Sequence, residues 1–282
     1  MPGMQPAMLK QLSKAAFKAH AVQLATDWQQ PQGDAGKQYV DAFAPSERSV
    51  APDPAKLFVA ASSNKYHVDQ VSAISRAFEA FMDGVCDAIC NAHNIWKIQA
   101  KFGNIQIMAV SAVGGPGCLT GPDIKPLILM GAPKATPQEL KYSKALATAV
   151  ATCFKSWQDN VAVPGLPWYP AFAAFPGPMA PPMPNVPVPL MACPSAMQSE
   201  MMAPRLKQEM IDALGESDAM HHKVLFDAIA QGLAAVFLTW LLQQQVSLVM
   251  GKGPIPTFAP PFVPAGPVVG GDVLSIPGHL MS

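Results

Sequence analysis

Apolar residues recur every three or four positions along several stretches of this 282-residue chain. The most regular stretch runs from Ser62 to Lys101. There Val68, Val71, Ile74, Phe78, Phe81, Val85, Ile89, Ala92, Ile95 and Trp96 hold the spacing of an amphipathic helix for about eight turns. Ser62, Ser63 and Asn64 offer capping side chains ahead of it. Gly84 in its middle costs about 1 kcal/mol relative to alanine and predicts a close crossing or a bend. A second helix begins at Thr136-Pro137-Gln138-Glu139, an N-cap followed by a proline at the first helical position and acidic or amide partners. It continues through Leu146, Val150, Phe154 and Trp157. A third long helix is predicted from about Asp218 to Met250, with Leu225, Ile229, Leu233, Val236, Phe237, Trp240 and Leu241 on one side. A ragged helix from Met8 to Trp28 and a short one from Ala203 to Leu214, stopped by Gly215, complete the set.

Between the helices the chain stays apolar but loses the helical period. Three arms, Phe102 to Pro122, Asn160 to Ser199 and Gly253 to Gly271, are rich in Gly and Pro and contain no charged side chain. In the first, Ile105, Ile107 and Ala109 alternate with Gln106, Met108 and Val110, which reads as strand or extended chain ended by Gly114-Gly115-Pro116-Gly117. In the other two, frequent proline excludes helix interiors and central strands. Such arms have no hydrogen-bonded partner within themselves and need a groove on a helix or a neighbouring subunit. The expected fold is therefore mainly α, with a few long amphipathic helices, extended arms and little sheet. Its units are residues 1–61, 62–135, 136–202 and 203–282, packed as one domain.

Three of these units share one order: a helix, a tryptophan near its end (Trp96, Trp157, Trp240), then a chargeless arm. This reads as a degenerate three-fold helix-plus-arm repeat, with Trp28 as a worn fourth copy. The alternative is that apolar composition alone produces the echo.

Composition narrows the function. Only 13% of residues are charged, and 19 Lys and Arg balance 19 Asp and Glu. An ordinary domain carries about twice that share of charge, so a free-standing monomer would have a poorly charged surface. No basic cluster exists to release counterions, which argues against nucleic-acid binding and polybasic membrane targeting. Five cysteines with no CxxC suggest buried thiols in a reducing compartment. The opening MPGMQPAMLKQLSK lacks an apolar core and a cleavage site, which argues against a secretory signal.

Chemistry is sparsely represented. Cys86, Cys90 and His93 stand at i, i+4 and i+7 and form a weak candidate metal set, weighed against small core fillers beside a polar-edge histidine. His221-His222 reads as a solvated helix start. Ser111 lies in no nucleophile elbow, and the Gly114 loop lacks the lysine of a phosphate loop. No enzyme activity and no cofactor are expected.

In low charge, proline-rich arms and repetition the chain resembles structural subunits of phage virions and phage-tail-like contractile injection particles. The expectation is a structural subunit whose arms clamp other copies of itself and other structural proteins, in a virion or a particle assembled in the cytoplasm. The arm anchors would be Trp168, Tyr169, Phe172, Phe175, Phe258, Phe262 and Val263, because aromatic side chains dominate interface energies. The alternative is a membrane-associated component with the 228–250 helix in a bilayer, although its uninterrupted apolar run is shorter than the roughly 20 residues needed to span.

Overall fold

A computed structural model describes residues 3–20, 22, 65–216, 221–261 and 265–280. Trp28, Phe262 and Val263 lie outside these residues. The helices are α1 (Pro6–Ala19), α2 (Lys65–Gln99), α3 (Ile124–Gly131), α4 (Pro137–Asp159), α5 (Ala203–Leu214) and α6 (His222–Gln243). The strands are β1 (Lys101–Phe102), β2 (Gln106–Met108), β3 (Ser111–Gly114), β4 (Leu119–Thr120), β5 (Val163–Pro167), β6 (Met179–Pro184), β7 (Val188–Pro189), β8 (Gln245–Val246), β9 (Met250–Pro254) and β10 (Val269–Val273).

The helix ends follow local chemistry. Thr136 and Glu139 close a reciprocal capping box at the start of α4, each bond 3.1 Å. Gly215 ends α5 in the left-handed conformation at φ 67°. Asp123 caps α3, a helix the apolar pattern of the first arm did not signal. The third long helix stops at Gln243 rather than Met250, because Gln244 turns extended and the following residues become strands.

α6 is the centre of the helical layer, packed between α1 and α5, while α4 lies against α3 and α5, and α2 against α1 and α3. Lys10–Asp87 at 2.7 Å and Lys14–Asp83 at 2.8 Å tie α1 to α2. Gly84 marks a close approach: a Cβ there would lie 2.6 Å from the ring of Pro133.

The expectation of little sheet is wrong, and the fold is mixed α and β. The arms build a six-stranded antiparallel sheet in the order β5-β3-β2-β10-β9-β6. Two short pairs, β1-β4 and β7-β8, lie beside it. Each arm region supplies two strands to the large sheet. Most prolines of the sheet lie in its edges: Pro164 and Pro167 in edge strand β5, and Pro181, Pro182 and Pro184 in edge strand β6, while Pro254 stands at the last position of the inner strand β9. The centre is built instead from the first arm and from the glycine-rich flanks of the third. The sheet curls until its edges meet at one end, where Val186 N–H donates to Pro167 O at 3.0 Å and Trp168 pairs with Asn185. Closure of this kind removes exposed edges.

One continuous set of buried side chains runs from Leu9 in α1 through the helices and the inner face of the sheet to Leu280. The described parts of the four sequence units therefore contribute to one core. The strands of the second arm flank the sheet, whereas those of the first and third form adjacent pairs, so the three units do not repeat one geometry.

Candidate functional site

The three helix-end tryptophans meet. Trp96, Trp157 and Trp240 stand with ring centroids 6.1 Å apart in every pair, all inclined steeply to one another. Phe154 packs edge-on to Trp96 at 4.7 Å, and Phe237 edge-on to Trp157 at 5.1 Å. Such tilted contacts place the positive ring edge over the negative face. Each indole N–H in this buried cluster has a glutamine acceptor: Trp96 on Gln158 at 2.6 Å, Trp157 on Gln198 at 3.0 Å and Trp240 on Gln244 at 3.1 Å. The glutamines were not identified from sequence. Trp240 and Gln244 stand one helical turn apart, the one local signal available.

His93 is buried in the same cluster, its ring 4.4 Å from Trp240, 5.6 Å from Trp96 and 5.9 Å from Phe154. Burial, with Lys97 adding to it, pushes the imidazole down to about 3, so it is neutral across the physiological range. Cys86 and Cys90 are buried between helices, where lost solvation pushes both thiols up to about 12. Cys86 approaches Ser13 Oγ at 3.9 Å. Among the described residues no three His, Cys, Asp or Glu side chains stand together as a metal site would require. The reading of His222 as solvated is corrected: it is buried and packs edge-on to Phe226 at 6.1 Å.

The proposed arm anchors divide. Trp168 and Phe172 are buried within their own chain, their rings stacked at 6.1 Å and 8°. Trp168 donates to Met183 O at 3.1 Å and lies against Gly251, where a Cβ would come within 2.6 Å of its ring. Phe175 is half-buried and exchanges two backbone hydrogen bonds with Gly266, clasping the second arm to the third. Phe258 is half-buried and packs on the core, while Tyr169 is exposed. The arms thus cover one another within one molecule.

Their outward face is left open. Ile107, Ala112, Leu166 and Gly271 are aligned across four strands and face inward. Their neighbours point out: Met108 is 58% exposed, its cross-strand partner Val269 41%, and Val113, opposite Gln106, 56%. The charges on the inner strands are Lys252 and Asp272, directly paired in register across β9 and β10. The outer face therefore sets Met108, Val113 and Val269 beside Gln106 and one pair of opposite charges, and carries no net charge. No protein-family model, curated protein or solved structure matches the chain.

Proposed function

We propose that this chain is a structural subunit of a large ordered protein assembly, of the kind found in phage virions or phage-tail-like contractile injection particles. The observation that carries the reading is the set of exposed apolar side chains Met108, Val113 and Val269 on a sheet face with no net charge, in a chain with few charged residues of any kind. Exposed apolar surface of this sort marks association sites. The proline-bearing edges disfavour strand addition, so the outward face, rather than a docked arm, is the surface that meets neighbours. Those neighbours are other copies of this chain and other structural proteins.

The competing reading places α6 in a bilayer. α6 is long and apolar enough to cross a membrane by length and composition. Its large apolar side chains are nevertheless mostly covered by the chain's own helices, with Leu238 and Leu242 exposed. That burial favours a core helix.

Light scattering after size exclusion, with sedimentation of the source lysate, tests the proposal. A detergent-free high-mass particle is expected, and Met108→Glu/Val113→Glu/Val269→Glu should convert it to folded monomer. Recovery only in detergent, or an unchanged particle from the triple variant, would overturn it.

A further inference from the structure

We propose that His279 is the catch of a C-terminal latch that opens on acidification. Residues Gly278, His279 and Leu280 form a strap across the ends of α2, β1 and α6. Gly278 N–H donates to Ala100 O at 3.3 Å, Ser247 N–H to His279 O at 3.0 Å, and Gln244 Nε2 to Leu280 O at 2.7 Å. His279 and Leu280 are fully buried.

The catch is a single hydrogen bond of fixed polarity. The backbone N–H of Phe102 donates to His279 Nδ1 at 2.8 Å, and the imidazole stacks on the Phe102 ring at 6.3 Å and 21°. A backbone N–H can only donate, so Nδ1 must be unprotonated and the proton must reside on Nε2. Nε2 has no hydrogen-bond partner among the described residues. Protonation would place an N–H at Nδ1, facing the Phe102 N–H donor head on, and a charge in a buried site.

Among the described residues of the elements packed here, no anionic side chain stands ready to compensate that charge. Lys97 at the end of α2 and Lys101 in β1 are cations, while β4, β8, the strap and the last turn of α6 carry no charged residue. Burial accordingly pushes His279 down to about 4. Released into water, the ring returns to its ordinary value of about 6.5. The closed strap is thus favoured above about 6.5, and each pH unit from there down to the closed-state value moves the closed-to-open ratio about tenfold toward open. Opening also removes a partner from Gln244, the residue that accepts the Trp240 N–H, and so reaches the tryptophan cluster.

His279→Asn tests the catch, because the asparagine Oδ1 stands near the place of Nδ1, accepts the same hydrogen bond and does not titrate. Amide-exchange protection factors at Phe102 and Ser247, corrected for intrinsic rates, are compared between pH 7 and pH 5. A fall of about twentyfold is expected in the unaltered chain and none in His279→Asn, with His93 present in both. Equal falls in both chains, or none in the unaltered one, would overturn the latch. NMR of the unaltered chain gives an independent check: at pH 7.5 the His279 ring must carry its proton on Nε2, and the opposite tautomer would also overturn it.

Discussion

The indole N–H of Trp96 donates to Oε1 of Gln158 at 2.6 Å, joining α2 to α4 across 62 positions of sequence. Both partners are buried. Removing the acceptor would strand a donor out of reach of water, which costs more than the bond itself contributes. Gln158→Ala should therefore destabilise the chain by about 1–3 kcal/mol in urea unfolding. Trp96→Phe/Gln158→Leu, which removes donor and acceptor together, should cost less than the sum of its two single changes. Additivity would show that the bond contributes nothing.

Gly251 and Trp168 form a second interlocked pair. A Cβ at position 251 would lie 2.2 Å from Ile107 and 2.6 Å from the Trp168 ring. Gly251→Ala should cost about 1–3 kcal/mol by overpacking. The smaller ring in Gly251→Ala/Trp168→Phe should recover part of that loss, measured as coupling in a double-mutant cycle.

Asp227 on α6 collects Lys207 from α5 at 2.9 Å, His20 beyond α1 at 2.9 Å, and Gln231 at 2.6 Å. Burial would raise its carboxyl, but hydrogen bonds from Lys207, His20 and Gln231 outweigh burial and hold it below the ordinary value. A depressed carboxyl contributes stability above its unfolded pKa of about 3.9, and that stability is lost as pH falls through the folded value. Asp227→Asn should be less stable at pH 7 by about 1–2 kcal/mol, with the difference from the unaltered chain shrinking below the ordinary carboxylate range. Paired denaturation curves at neutral and acid pH measure this.

All five cysteines are buried and free. Burial raises the thiols of Cys86, Cys90, Cys153 and Cys193 to about 12 and that of Cys118 to about 11. The thiolate is the reactive form. An aromatic disulfide reagent at pH 8 should therefore label none of the five rapidly in the native chain and all five in denaturant. A thiol that reacts at once in native buffer would locate an opening absent from this fold.

The helices were legible because their signals are local. Thr136 and Glu139 announce α4 within one turn, and Gly215 ends α5 by a conformation that glycine adopts without strain. β2 was legible from the alternation around Ile107, but the rest of the sheet was not, because its inward positions in the third arm break the expected alternation. In β9 and β10 those positions are Gly251, Gly253 and Gly271, and the space above Gly251 is filled by Trp168 from beyond β5. A strand whose buried side is glycine has no period-two hydrophobic pattern to read.

Sequence by itself determined that long helices form over the second, third and last apolar-periodic stretches, that three tryptophans close them, and that the proline-rich stretches hold no long α-helix. Those are consequences of capping, periodicity and the missing proline N–H, all set within a few residues. Tertiary structure alone decided that the three indoles would meet 6.1 Å apart, each on a glutamine, and that the arms would pair with one another. Those contacts join residues tens of positions apart. Their energy comes from burying surface and satisfying hydrogen bonds jointly, a balance that no single stretch of chain contains.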